Sequence, residues 1–246
     1  VTHEREVDRM KTEFISTAAH ELRTPLTSIQ GFSEILLMRE NLKPEEKIKF
    51  LTHINKQSVG LAKIINDLLD ISRIESGKGF SLNKTVCSLS DIIKQVIPYF
   101  EDQYKKHQFE VIVPDEPVQV TVDKEKIVQV LKNLLSNAVK YSPGGGPIQI
   151  TCSTLKDHYQ VSIEDQGKGM THEQVDKVFD KFYRVDASNT AIEGTGLGMS
   201  IVKYIIEAHG GDVRVESRIH KGTTITFMIP NLVKEVLADD KKNSDS

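Results

Sequence analysis

Apolar residues recur at helical spacing over the first third of the chain. From about residue 7 to 39 they stand three, four or seven positions apart, and the same spacing resumes at Pro44 after a short polar turn. Pro44, Glu45 and Glu46 suit the first turn of a helix, because proline needs no amide partner there and carboxylates favour the positive end of the helix dipole. Pro25 is the one interruption. The pattern predicts a helical hairpin.

The apolar stripe of the second predicted helix is broad. Ile54, Leu61 and Leu68 repeat every seven residues, and Ile65 and Leu69 widen the stripe. A single partner helix cannot cover this width, so we expect the hairpin to keep an apolar face that a second copy would bury as a four-helix bundle. The pattern therefore predicts a homodimer.

The pattern changes at Ser76, Gly77 and Gly79, which favour a helix end and a mobile linker. Beyond them, helical stretches mix with period-two segments that come in adjacent pairs, not one after each helix. Helices are expected at about 89–106, 123–141, 171–178 and 197–209, and strands at 148–152, 161–165, 213–215 and 225–229. We expect an α/β sandwich, with a mixed sheet covered on one face by helices.

These patterns divide the chain into two predicted domains, each long enough to bury its own core. Residues 1–76 would form the helical domain, 77–80 a hinge linker, 81–231 the α/β domain and 232–246 a flexible charged tail.

Composition narrows the classes of function. Of the 246 residues 38% are hydrophobic and 27% charged, and a formal net charge of −3 gives no positive field for nucleic acid. Cys87 and Cys152 lack partners at ligand spacing, so neither a disulfide framework nor a zinc site is indicated. The chain contains no long apolar run and no signal-peptide core. We expect a cytoplasmic location, no nucleic acid and no membrane contact by this segment itself.

One histidine stands beside a carboxylate in the first predicted helix. Two alanines precede His20 and leave its imidazole accessible, and Glu21 can orient the ring and accept its proton. Thr24 lies one turn further on the same face. Pro25 lacks an amide and frees the carbonyl of Glu21, so we expect it to loosen the helix there. An inert helix surface could also carry such a histidine.

Four polar residues fall on one face of the helix predicted at 123–141. They are Asn133, Asn137, Lys140 and Tyr141, and an apolar face lies opposite them. An amide oxygen can ligate Mg²⁺ and a lysine can offset phosphate charge, and a triphosphate site needs both. A solvated helix face would show the same residue types.

Two glycine-bearing segments follow. Asp165 ends a predicted strand, where it can accept a hydrogen bond from a base amino group, and Gly167 and Gly169 let backbone approach a ligand. Residues 194–198, Gly-Thr-Gly-Leu-Gly, open a predicted helix whose first amides can bind an anion. Taken alone, either segment could equally be a plain turn. Neither fits the P-loop, protein-kinase or dinucleotide fingerprints.

The histidine segment resembles a known family. Residues 17–26, Thr-Ala-Ala-His-Glu-Leu-Arg-Thr-Pro-Leu, are similar to the phosphoacceptor box of sensor histidine kinases of two-component systems. The resemblance implies that His20 is phosphorylated and that Glu21 accepts its proton. It also implies that Thr24 positions water when the protein dephosphorylates its regulator.

The later motifs resemble the ATP-binding domain that histidine kinases share with type II topoisomerases, Hsp90-type chaperones and mismatch-repair ATPases. Residues 133–141, 165–169, 179–184 and 194–198 resemble its N, G1, F and G2 boxes. The resemblance implies that Asn137 ligates Mg²⁺ and that residues 185–193 form a lid. It assigns phosphate contacts to Asn133, Lys140 and Arg184, adenine stacking to Tyr141, the adenine amino group to Asp165, and further nucleotide contacts to Gly167, Gly169, Gly194, Thr195, Gly196, Leu197, Gly198 and Thr223.

One position separates the branches of this superfamily. Hydrolytic relatives carry a glutamate one turn before the metal-binding asparagine to activate water, whereas this chain has Asn133, a poor base. This favours transfer to His20 over hydrolysis.

Glu193 and Lys168 depart from the usual glycine and aliphatic residue, and we expect them to alter lid mobility or affinity but not the chemistry.

The resemblance thus implies an ATP-dependent protein-histidine kinase. It would phosphorylate His20 from Mg-ATP, pass the phosphoryl group to an aspartate of a response-regulator receiver domain, and also dephosphorylate that regulator. Residues 1–76 would serve dimerisation and phosphotransfer and 81–231 catalysis, in the intracellular part of a membrane-bound or sensor-linked kinase. Two alternatives stay open: an ATP hydrolase of the shared fold, and a regulatory scaffold for which ATP is a conformational ligand.

Overall fold

The computed structural model shows two compact units. Among the described residues, the first contains those up to Gly77 together with Gly196 and Leu197, and the second contains the others from Gly79 onward. Among the described residues, no helix combines the length and the apolar character that crossing a membrane requires. The residues described are 2–39, 41–77, 79, 81–117, 119–155, 157–181, 183–184 and 196–231, with the side chains of 2–15 and 17 excepted. The predicted lid and the predicted tail lie outside them.

The first unit is a helical hairpin, as the sequence predicts. Helix α1 spans Thr2–Met38 and helix α2 spans Pro44–Glu75. The Lys43 amide donates to the Glu46 carboxylate at 3.1 Å, which closes the turn in front of α2. Proline in the first turn and this hydrogen bond to Glu46 explain why α2 begins where the sequence places it.

Helix α1 runs through Pro25 without a break. Proline removes one hydrogen bond of the helix, but the turns on either side stay helical. The Thr24 hydroxyl donates to the carbonyl oxygen of His20 at 3.2 Å. The helix therefore continues through the predicted interruption. Thr24 and His20 share a face of α1, as predicted.

The hairpin leaves large apolar side chains exposed. Phe32 of α1 stacks on Phe50 of α2 with ring centroids 5.6 Å apart, which is one contact that joins the two helices. The exposed apolar residues are Leu26, Leu37, Met38, Ile48, Leu51, Val59, Ile65 and Leu69. Since Ile65 and Leu69 belong to the broad stripe read from the sequence, the hairpin keeps an apolar surface that a partner could cover.

The second unit is an α/β sandwich. Its elements are β1 Thr85–Ser88, α3 Leu89–Gln103, β2 His107–Ile112, β3 Gln119–Val122, α4 Lys124–Tyr141, β4 Gly146–Thr154, β5 His158–Asp165, α5 His172–Lys177, α6 Gly198–Ala208, β6 Asp212–Arg218 and β7 Gly222–Pro230. Five strands form a mixed sheet in the order β2-β4-β5-β7-β6. Strands β2 and β4 pair parallel and the other neighbours pair antiparallel. Strands β1 and β3 form a separate antiparallel pair.

The sheet buries one face. Alternate residues along β4, β5 and β7 are buried, as the period of two predicts. Helix α4 packs on this sheet and beside α3 and α6. The residues that α4 buries include the predicted set Ile127, Leu131, Leu134, Leu135 and Ala138. The apolar face read from the sequence is thus the core face of α4, and α4 also buries Asn133.

The sequence prediction missed β1, β2 and β3 and extended α3 too far. Helix α3 ends at Gln103, not near residue 106, because β2 begins at His107. Strands β1 and β3 have 4 residues each, too few to show a period of two. Strand β2 lies at the sheet edge, where its alternate residues are only half-buried. Its parallel pairing with β4 makes the sheet mixed, as predicted, although β2 itself was not among the predicted strands.

Candidate functional site

Asp165, the last residue of β5, is a buried carboxylate with several donors around it. Its exposed fraction is 7%. The Gly167 amide donates to Oδ1 at 2.8 Å, the Ser142 hydroxyl donates to the same oxygen at 3.4 Å, and the Thr223 amide also donates to the carboxylate. Burial raises the pKa of Asp165 above its ordinary value, and these donors oppose the rise. A carboxylate held this way has a fixed orientation and, having about four acceptor positions, can take a further donor from a ligand.

The glycines of the loop after β5 serve backbone packing. A Cβ on Gly167 would overlap the carbonyl oxygen of Tyr141, and one on Gly169 would overlap the carbonyl oxygen of Arg218. Between them, the Lys168 amide donates to the Tyr141 carbonyl at 3.0 Å. The loop therefore closes on the end of α4. In the structure these glycines admit the protein's own backbone, and their contact with a nucleotide stays a prediction.

The four polar residues of α4 differ in exposure. Asn133 is only 4% exposed, and its Nδ2 donates to the carbonyl oxygen of Gly198 at 3.4 Å. Asn137, Lys140 and Tyr141 are half-exposed. Lys140 Nζ lies 5.0 Å from the centre of the Tyr141 ring, so a cation covers one ring face and a stacked base would need the other. Asn133 thus joins α4 to α6, a contact that the sequence did not predict.

Asn137 offers an amide oxygen to a metal. Within the described part of the chain its half-exposed side chain makes no hydrogen bond. No cluster of His, Cys, Asp or Glu among the described residues could hold a metal ion by itself. Because Mg²⁺ keeps several waters and takes few protein oxygens beside phosphate, the amide oxygen of Asn137 fits the kind of ligand that Mg²⁺ takes.

The other predicted nucleotide residues lie after α5, before α6 and on β7. Arg184 is half-buried, and Thr223 stands opposite Asp165 in the β5–β7 register. Helix α6 begins at Gly198, two residues after Gly196, whose φ is 70°. Leu197 stands between these glycines, whereas Gly194, Thr195 and Glu193 lie outside the described residues.

The phosphoacceptor candidate lies in the first unit. His20 and Thr24 are exposed on α1, and Glu21 is half-buried between the same turns. Ala19, directly before His20, is exposed as well and carries only a methyl group. The ring is accessible to a reaction partner, as the small residues in the sequence suggest.

Two family models match the chain. The His Kinase A (phospho-acceptor) domain matches residues 10–77, and the Histidine kinase-, DNA gyrase B-, and HSP90-like ATPase matches residues 122–233. The chain is 32% identical to the catalytic domain of histidine kinase ThkA, covering 60% of this chain and 95% of that one with a TM-score of 0.54. This chain belongs to the histidine kinase family. The matches confirm the resemblance and the predicted fold class.

Other members of the histidine kinase family match almost the whole chain. Sensor histidine kinase WalK of Bacillus subtilis (strain 168) is 36% identical over 244 residues, which is 98% of this chain and 39% of WalK. ThkA in complex with the response regulator protein TrrA has a TM-score of 0.63 at 31% identity, covering 92% of this chain and 63% of that one. The chain therefore spans well under half the length of WalK.

Ser142 of this histidine kinase chain was not predicted as a site residue from the sequence. This residue is 4% exposed and touches the Asp165 carboxylate, which lies far from it in sequence. Its one sequence signal is a hydroxyl directly after the last residue of α4. That signal has no meaning until the pairing of β5 brings Asp165 to the same end of the helix.

Gly222→Ala is expected to destabilise this site. The φ of Gly222 is 100°, and a Cβ there would overlap the carbonyl oxygen of Asp165. We expect the free energy of unfolding of the second unit to fall by about 3 kcal/mol or more, since backbone strain and a backbone clash add. Urea titration followed by circular dichroism measures it.

Gly210→Ala is the matched control, because its φ is 79° but a Cβ there would only meet Pro230 Cγ at 3.6 Å. It should lose about 1 to 2 kcal/mol from backbone strain alone. Equal losses in the two variants would show that Gly222 is not needed for the approach to Asp165.

Proposed function

We propose that this chain is the kinase core of a sensor protein, which moves the terminal phosphoryl group of ATP to His20 and then to an aspartate of a response-regulator receiver domain. The observation that carries the proposal is that one chain holds both an exposed His20 next to Glu21 on α1 and the buried Asp165 in contact with Ser142 at the end of α4. A chain with a phosphoacceptor but no nucleotide site, or with a nucleotide site but no phosphoacceptor, could not transfer a phosphoryl group from ATP to itself.

Each proposed residue has one task in the first transfer. An unprotonated nitrogen of His20 forms a bond to the terminal phosphorus, the bond from phosphorus to the bridging oxygen breaks, and ADP leaves. Glu21 takes the proton that the other ring nitrogen releases. Asn133, Lys140 and Arg184 hold the phosphates and offset their charge, while Tyr141 and Asp165 hold the base. Mg²⁺, ligated by Asn137, would neutralise phosphate charge when bound.

The proposed partners are a second copy and a receiver domain. The exposed apolar residues of the hairpin and the match to the His Kinase A domain support a homodimer through residues 1–76. The ThkA structure that contains a response regulator supports a receiver domain as the phosphoryl acceptor. We place the chain in the cytoplasm, where ATP is available, with residues 81–231 as its catalytic domain.

We also propose that the chain dephosphorylates its regulator. Thr24 is exposed one turn from His20, and its hydroxyl lies 3.2 Å from the His20 carbonyl oxygen, so it stands beside the phosphoacceptor. A hydroxyl in this place can hold a water molecule against a phosphorylated aspartate. Loss of this activity in Thr24→Ala, with autophosphorylation kept, is the expected sign.

Incubation with γ-labelled ATP and Mg²⁺ tests the main proposal. We expect label on the chain that is labile in acid and stable in alkali, up to about one group per chain, and mass spectrometry should place it on the peptide that contains His20. Free phosphate released over many turnovers without label would instead support the hydrolase alternative. Nucleotide binding with neither label nor hydrolysis would support the scaffold.

A further inference from the structure

His209, directly after α6, is a buried histidine that has no role in the proposed nucleotide site. Its exposed fraction is 2%. Its Nδ1 lies 2.7 Å from the carbonyl oxygen of Ile205, and its Nε2 lies 3.0 Å from the backbone nitrogen of Asp123. Because a carbonyl only accepts and a backbone N–H only donates, Nδ1 must carry the proton and Nε2 the lone pair. The ring is therefore neutral and in a single tautomer.

Asp123, the partner of His209, is the N-cap of α4. Its carboxylate accepts from the Lys126 amide at 3.1 Å and from the Asn83 amide at 3.0 Å. The amide of an N-cap residue has no acceptor within its own helix, and a glutamate or glutamine at the third helical position often supplies one. Lys126 occupies that position and cannot accept. His209 supplies the acceptor from 86 residues away in the chain.

A second hydrogen bond joins the same two helices. Asn133 Nδ2 donates to the carbonyl oxygen of Gly198, the first residue of α6. At about 1.5 Å per residue, the two points on α4 are about 15 Å apart and the two points on α6 about 16 Å. The two links are thus equally spaced along antiparallel helices. Together they prevent α6 from sliding along α4.

We propose that His209 is a positioning residue that sets the register of α6 against α4. In doing so it decides where Gly198, the first residue of α6, stands relative to the α4 face that carries Asn137. This role rests on the proposed nucleotide function. His209 contacts no substrate and acts through the Asp123 amide and the last turn of α6.

Acid should break this link. A proton added at Nε2 would face the Asp123 N–H. The charged groups that act on the ring are Lys84, ahead of β1, and the Asp123 carboxylate. Burial and Lys84 lower the pKa of His209, while the Ile205 carbonyl and Asp123 oppose them. Since the folded pKa lies below the ordinary value of about 6.5, the stabilisation is complete above that pH and is lost as pH falls below it.

Two variants distinguish loss of the hydrogen bond to the Asp123 amide from loss of the imidazole ring itself. The longer side chain of His209→Gln can place its amide at the position of Nε2 and keep an acceptor for the Asp123 amide. The shorter side chain of His209→Asn reaches only the position of Nδ1, where it can donate to the Ile205 carbonyl. The full chain is titrated with Mg²⁺ and AMPPNP, a non-hydrolysable ATP analogue, near neutral pH and at a temperature where each variant is folded. We expect the dissociation constant to rise about tenfold in His209→Asn and less than about threefold in His209→Gln, as for one buried hydrogen bond lost or kept.

Val161→Ala, in the centre of β5, is the control for a general loss of stability. Val161 is fully buried and distant in sequence from both links. This variant should bind AMPPNP as the wild type does once it is folded. A rise in its dissociation constant equal to that of His209→Asn would overturn the positioning role. A pH profile of affinity that falls in acid for the wild type and is flatter for His209→Gln would support the role, and identical profiles would contradict it.

Two readouts do not depend on nucleotide. Nitrogen NMR of the ring should show the proton on Nδ1, and the Asp123 amide should exchange slowly in wild type and His209→Gln but fast in His209→Asn. A protonated Nε2, or equal exchange in all three, overturns the link. If the wild type does not bind AMPPNP, the proposed function and the positioning role both fail, while the NMR and exchange results still decide whether the link exists.

Discussion

His20→Gln is expected to take up no label from γ-labelled ATP while it binds the nucleotide as tightly as the wild type. A glutamine amide is not a nucleophile toward phosphorus, so the autophosphorylation rate should fall by at least about 10³-fold. The fold should be kept, because His20 is exposed on a continuous helix. Because His20 lies on α1, far in sequence from α4, the substitution leaves the polar residues of α4 unchanged.

His53→Gln is the matched control for this loss. His53 is an exposed histidine on α2 of the same hairpin, so the substitution removes an imidazole from the same unit. It should label at the wild-type rate. Label kept in His20→Gln would place the phosphoryl group on another residue and contradict the proposal. Loss in both variants would show that the hairpin, and not one imidazole, had been disturbed.

The sequence predicted the parts of the site that lie on one helix. The His20 box and the polar face of α4 depend on the helical period alone, because residues three, four or seven apart share a face. The structure keeps Asn137, Lys140 and Tyr141 half-exposed on α4. Asn133 differs, because the start of α6 packs against it, and the contact with Gly198 joins residues 65 positions apart.

The surroundings of Asp165 could not be predicted from periodicity. They come from Ser142, after α4, from Gly167, in the next loop, and from Thr223, on β7. These residues meet because β7 pairs antiparallel with β5 in a register that sets Thr223 opposite Asp165. Strand register depends on contacts along the whole sheet, so no local pattern reveals it.

Strand β2 shows the same limit for the fold. Its period of two is present, since alternate residues of His107–Ile112 are half-buried. At a sheet edge these residues meet few neighbours, and the apolar signal is weak. Its partner is β4, which follows only after β3 and α4. A local pattern cannot identify a parallel partner that far along the chain.

Asp165→Asn is expected to raise the dissociation constant for AMPPNP by about 100-fold or more, because a site built to accept a hydrogen bond would then present a donor to the base amino group. The change keeps the shape of the side chain. It also removes the buried charge of a carboxyl group whose pKa is already raised by burial. We therefore expect the free energy of unfolding to change by less than about 1 kcal/mol. Calorimetric titration and urea unfolding measure the two quantities separately.

The choice of base makes the Asp165 prediction sharper. Adenine presents an amino group where guanine presents a carbonyl oxygen. The wild-type carboxylate should repel that carbonyl oxygen, whereas the amide of the asparagine variant can donate a hydrogen bond to it. We therefore expect Asp165→Asn to reduce the preference for AMPPNP over the matching guanosine analogue. Glu164→Gln removes the neighbouring exposed carboxylate, whose side chain points to the other face of β5, and should leave both constants unchanged. An Asp165→Asn variant that still binds AMPPNP within about threefold of wild type would remove Asp165 from base recognition, because a lost charge-assisted hydrogen bond costs more than that.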